Sequence, residues 1–290
     1  MHETKILYLL MSQERSLLQS ISPKIWAFIA VYVAILLWWL SLNGFLFTPA
    51  QQDTLQNYVF GAIIGILPIV GGLIGARAGL RWGGVKSAMG KALLFLSSGL
   101  ITWGIGTLIF AYYNIFSGVE VPFPSWADAA YIVSWPLWML GAVSLSKASG
   151  VQFSLKKKNG QIFLMIIPVL VAFFSYYFQV VVARGGVLSA SGGMGSVFFD
   201  LAYPIGDIVI LTIAVLVFGL SSKYLGGRFK IPIWLVLFGF VLNYFADFSF
   251  AWTTTNETFF VGGWVDLLFV TTMWVLSLGV IMLDPGTLKE

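Results

Sequence analysis

The sequence predicts an all-α, polytopic membrane protein with eight transmembrane helices and both termini in the cytoplasm. Three observations carry this prediction. Of 290 residues, 59% are hydrophobic and only 10% are charged, against about 25% charged in a soluble domain; mean hydropathy is +0.90. Eight apolar runs follow one another, each about 19 to 25 residues long and so able to cross a hydrocarbon core of about 30 Å. Lys and Arg gather in alternate connections, which is the pattern that basic residues held on the cytoplasmic side produce.

Ahead of the first run, Ile6, Leu7, Leu10, Met11, Leu17, Leu18 and Ile21 recur at three- and four-residue intervals. Residues 1–24 therefore read as an amphipathic interfacial helix ended by Ser22-Pro23. The apolar stretch in it is too short for a signal peptide, and no small-residue cleavage site follows.

The first span, 25–47, follows Lys5, Arg15 and Lys24 and enters from the cytoplasm. Residues 48–57 hold no basic group, and the second span, 58–76, returns to Arg77, Arg81, Lys86 and Lys91. The third, 92–116, leads out to a basic-free connection; the fourth, 126–146, ends before Lys147 and Lys156, Lys157 and Lys158. The fifth and sixth, 161–183 and 197–219, are joined outside through Arg184, and Lys223, Arg228 and Lys230 precede the seventh, 231–252. The eighth, 261–283, leaves a short cytoplasmic tail, 285–290, with Lys289. All but Arg184 of the 16 basic residues thus fall on one side. A wrongly merged or missed helix would scramble this alternation.

The bundle over 25–284 occupies nearly the whole chain, so function is expected among the helices or in short loops rather than in a separate catalytic domain. Net charge +4 and pI ≈ 9.2 reflect topology and contact with anionic lipid head groups, not nucleic-acid binding. Cys is absent and the one His is His2. Disulfides, iron–sulfur clusters, axial-His haem, Cys/His zinc sites and a Cys or His base are excluded. No cofactor and no metal site is expected.

Gly61 and Gly65, then Gly71, Gly75 and Gly79, are spaced by four and let another helix approach closely, inside the bundle or across a dimer. Pro68, Pro136, Pro168 and Pro204 each delete a backbone donor within a span and are expected to kink it.

Five aspartates lie inside the spans: Asp128, Asp200, Asp207, Asp247 and Asp266. At a helix centre an Asp costs roughly 2.5 to 3.5 kcal/mol, less toward the interface, and no Lys or Arg lies within a span to pair with them. All five fall in the outer half. Asp128, Asp200 and Asp266 are in the first turns of their helices, where the positive helix end favours them without any ligand. Asp207 is too deep for that explanation, about 15 Å inward, and Asp247 is near a C-terminal end. Asp128, Tyr131, Trp135 and Trp138 share a helix face, as do Asp200, Tyr203 and Asp207, and Asn243 with Asp247. An outward-facing carboxylate and aromatic pocket between helices four, six, seven and eight follows as the expectation. Its ligand-binding residues would be Asp128, Tyr131, Trp135, Asp200, Tyr203, Asp207, Asn243, Asp247 and Asp266.

Three segments are variations on one theme: Pro124-Ser125-Trp126-Ala127-Asp128-Ala129-Ala130-Tyr131 with Trp135-Pro136, then Asp200-Leu201-Ala202-Tyr203-Pro204-Ile205-Gly206-Asp207, then Trp264-Val265-Asp266-Leu267-Leu268-Phe269. Over about residues 120 to 285 the chain resembles the multispanning N-terminal sensory membrane modules of bacterial diguanylate cyclase and phosphodiesterase signalling proteins. The resemblance places Asp128, Tyr131, Pro136, Tyr203, Pro204, Asp207 and Asp266 at matching positions and implies a sensory membrane region. Those proteins continue into cytoplasmic catalytic domains. This chain ends at Glu290, so output is expected through a separate cytoplasmic signalling protein.

A sensor or receptor for a small ligand, ion or proton in the cell (plasma or inner) membrane is the reading these features favour, with no catalytic residue assigned. A small-molecule or proton-coupled transporter using Asp207 and Asp247 is the alternative; against it, the ionisable groups stop near the midplane, whereas transporters carry a polar route through both halves. A lipid-modifying enzyme is the third: HExxH, Gly-x-Ser-x-Gly and Asp-rich diphosphate motifs are all missing. A retinal protein is disfavoured because no span holds a Lys for a Schiff base.

Overall fold

The computed structural model describes residues 22–46, 52–117, 121–187, 194–222 and 226–288, and of residues 200, 287 and 288 the backbone only. The interfacial helix expected over 1–24 lies outside the described residues except for its last three. All regular structure among the described residues is helical. Eight helices are long and apolar enough to cross a membrane: α1 (Pro23–Leu42), α2 (Leu55–Arg81), α3 (Ala88–Tyr112), α4 (Trp126–Ala148), α5 (Lys158–Ser175), α6 (Met194–Ser221), α7 (Lys230–Thr255) and α8 (Trp264–Met282). They coincide with the eight predicted spans. In a bilayer the backbone has no other partner for its N–H and C=O groups, so an apolar run of this length forms a helix whatever surrounds it.

Two departures from plain helix occur. A π-helical turn, Tyr113–Ser117, extends α3, and a longer one, Tyr176–Val182, extends α5. Pro68, Pro136, Pro168 and Pro204 all lie inside helices that run on past them.

Six helices close a ring in the order α2, α3, α4, α6, α7, α8, with α1 and α5 outside it. α1 leans on α8: Tyr32 stacks on Trp274 at 4.4 Å, its hydroxyl lies 2.8 Å from Thr271 Oγ1, and Trp274 Nε1 donates to the Phe28 carbonyl. α5 lies against α6, where Phe163 covers Gly219, and its π turn reaches α7, where Phe178 meets Phe248.

The glycine row of α2 serves contacts within this chain. A Cβ on Gly65 would stand 2.8 Å from the Gly104 carbonyl of α3, and one on Gly71 would stand 2.3 Å from the Ser277 side chain of α8. Without side chains at these positions the three backbones approach closely enough for dispersion contacts to accumulate.

The helix ends segregate into two faces. At one, Asp284 accepts from Arg81 at 2.9 Å with Lys24 at 4.0 Å, and Trp82 Nε1 donates to the Leu283 carbonyl. At the other, Trp39 Nε1 donates to the Gly263 carbonyl at 3.0 Å and Asn43 Nδ2 to that of Gly262 at 2.9 Å. The first face carries the basic ends of α2, α4 and α7. The second carries the acidic starts of α4 and α8.

Candidate functional site: an acidic and aromatic cluster

α4 begins with a capping box. The Ser125 side chain accepts from the Ala127 N–H at 3.2 Å, and Asp128 Oδ2 accepts from the Ser125 N–H at 2.7 Å and its hydroxyl at 2.9 Å. This is the local explanation of an early Asp. The other oxygen does something more. Asp128 Oδ1 accepts from the Tyr203 hydroxyl of α6 at 2.6 Å, tying two helices together.

Tyr203 is held by the same helix that bears Asp128. Trp135 meets its ring edge-on at 4.9 Å, two turns past Asp128, and the indole rests on Gly206, where a Cβ would come within 2.4 Å. Tyr131, between them on α4, donates to Thr107 Oγ1 of α3 at 3.2 Å and lies beside Trp103. Trp138, on the same helix face, turns away from the acids, covering Gly99 and Phe240.

One turn below Tyr203, Asp207 is buried at 4% exposure. Gln179 Nε2, in the π turn of α5, donates to Asp207 Oδ2 at 2.8 Å. The carboxyl groups of Asp207 and Asp247 stand within hydrogen-bonding reach of each other across the α6–α7 interface. Asp247 Oδ2 also accepts from Asn243 Nδ2 at 2.6 Å, one turn back on α7. Asn243 is 2% exposed, and its carbonyl oxygen has no partner among the described residues. Asp247 is only half-buried, so it forms the accessible side of the pair. Asp247 is also within electrostatic reach of Tyr131 and Tyr203.

The arrangement differs from the sequence expectation in three ways. First, α5 is a wall of the site. Gln179 is a polar amide in the midst of an apolar run, and the desolvation cost applied to the aspartates applies to it too; that was the signal available for it. Second, Arg184, two residues past the π turn, comes within electrostatic reach of Asp207; the sequence placed it in the outer connection between the fifth and sixth spans and gave it no part in the pocket. Third, Asp266 on α8 folds back on its own helix start, where its Oδ2 accepts from the Gly262 N–H at 2.7 Å. The side chain of Asp200 lies outside the described residues.

Two clefts open on the bundle, about 480 Å³ between α6 and α7 and about 380 Å³ between α1 and α2. Both are lined by apolar side chains, and the acids line neither. Among the described residues no three His, Cys, Asp or Glu side chains group so as to hold a metal ion.

Fold and site together define the class: a multi-pass helical membrane protein with paired carboxyl groups inside its helix bundle. Compared with protein-family models, with curated proteins and with solved structures, the chain matches none.

Proposed function

We propose that this protein is a membrane sensor whose Asp207–Asp247 pair takes up a proton, a small cation or a small cationic ligand. The observation that carries the reading is the meeting of two carboxyl groups from different helices, α6 and α7, inside an apolar bundle. Two carboxylates in contact repel, and one proton or cation between them removes the repulsion. Gln179 and Asn243 hold the carboxyl groups from either side. Loading therefore changes the force between α6 and α7, and a ligand shifts a two-state equilibrium by its difference in affinity for the two states.

By the positive-inside rule the basic face is cytoplasmic, which puts both termini and Lys156 to Lys158 inside and the acidic cluster in the outer half of a plasma or inner membrane. Movement of α6 relative to α7 would reach a separate cytoplasmic signalling partner through that basic face. The likeness of the three acidic segments to sensory modules of diguanylate cyclase and phosphodiesterase proteins supports the same reading.

The test uses the full chain in liposomes, with pH steps and Na⁺ as probes and the carboxyl infrared band as readout. A band that responds to either probe and disappears in both Asp207→Asn and Asp247→Asn is expected. A band unaffected by both substitutions refutes the assignment. Proton or Na⁺ flux that is lost in Asp207→Asn would replace the sensor reading with a transporter.

A further inference from the structure

The cleft between α6 and α7 lies at the other end of these helices from the acid pair. Phe218, three residues before the end of α6, and Ile231 and Trp234, in the first turns of α7, line it together with Val215, Leu235 and Phe238. Its volume of about 480 Å³ falls within the range of sites that hold small molecules. Phe218, Ile231 and Phe238 are exposed on the bundle surface, so in a bilayer the cleft opens to lipid.

The chemistry changes at its mouth. Lys230 holds its ammonium 4.5 Å above the Trp234 ring, and that ring also packs on Phe218 at 5.3 Å. Arg228 stands two residues earlier. The indole N–H of Trp234 is enclosed and has no acceptor among the described residues. An apolar trough that ends under a cation matches an acyl chain that ends in a phosphate. Basic groups between helices at the cytoplasmic side are where anionic head groups bind.

We infer that this cleft is a binding site for one anionic phospholipid of the surrounding bilayer. An acyl chain lies against Val215, Leu235 and Phe238, and the phosphate is held by Lys230. The site depends on charge complementarity at Lys230 and is independent of the acid pair.

The test is native mass spectrometry of the full chain released from nanodiscs of equal phosphatidylglycerol and phosphatidylcholine. The expected result is one retained phosphatidylglycerol, with the preference falling about fivefold in Lys230→Gln, the effect of one basic residue near a lipid surface. Lys86→Gln removes the same charge elsewhere on the basic face and is expected to leave the preference intact. Val215→Trp fills the trough while keeping the lysine, and is expected to release the lipid. Equal retention of both lipids by the unmodified chain, or equal losses in Lys230→Gln and Lys86→Gln, would overturn the inference. So would full retention in Val215→Trp. Monodispersity on size exclusion checks folding, and should Val215→Trp aggregate, Leu235→Phe takes its place with the same expectation.

Discussion

Replacing Asp207 by asparagine and by leucine separates the two roles the structure gives this side chain. Asp207 accepts from Gln179 at 2.8 Å and faces the carboxyl of Asp247. The asparagine of D207N offers an oxygen to Gln179 and an amide N–H toward Asp247, so Gln179 keeps its acceptor and the like charge beside Asp247 is gone. Leucine in D207L offers neither. Gln179, itself 4% exposed, then loses its acceptor, and Asp247 loses its neighbour. An orphaned buried polar group costs about 1–3 kcal/mol. Hydrogen bonds between membrane helices average only about 0.6 and reach about 1.7 kcal/mol, because the separated helices find other partners. The lower values govern here, and two lost interactions amount to about 1.2 kcal/mol. D207N is therefore expected to equal or exceed the unmodified chain in stability, and D207L to fall about 1.2 kcal/mol below it, a factor of about 8 in the unfolding equilibrium. Reversible unfolding in bicelles with mixed detergent measures both. If D207L is as stable as D207N, the carboxyl of Asp207 neither holds Gln179 nor faces Asp247, and the site as described is wrong.

Tyr203→Phe and Asp128→Asn, singly and together, are expected to show a coupling of about 1 kcal/mol in the same assay, since the 2.6 Å bond joins α6 to α4; additivity within about 0.3 kcal/mol would show that the bond contributes nothing. Gly71→Ala places a Cβ 2.3 Å from Ser277 and is expected to cost about 1–3 kcal/mol by overpacking, whereas no loss would mean that α2 and α8 pack less closely than described. Because the chain has no Cys, single substitutions Asp53→Cys and Lys86→Cys report topology directly. An impermeant thiol reagent is expected to label the first from outside intact cells and the second only after permeabilisation; labelling of both from one side contradicts the proposed orientation.

The aspartates show where the sequence stopped being informative. Asp128 was legible as a helix-start residue because capping involves Ser125, three positions away. The Asn243–Asp247 contact was legible for a similar reason, being one turn long on a single helix. Asp266 was also read correctly as lying in the first turn of its helix, yet the sequence did not show that its carboxylate turns back to Gly262. Gln179 was overlooked because its partner is on another helix, and its direction depends on the π turn that rewinds Tyr176–Val182.

By itself the sequence determined the eight spans, because in hydrocarbon every backbone N–H and C=O must be satisfied within its own segment, and length and apolarity alone decide that. The alternation of Lys and Arg ordered those spans up and down, and the structure places the corresponding ends on two opposite faces. Only the tertiary structure decided which acids meet. The rotation of each helix about its axis is set by interlocking surfaces, Gly206 beneath Trp135 and Gly71 beside Ser277. A few tens of degrees of rotation in α6 would part Asp207 from Asp247 without changing a single span.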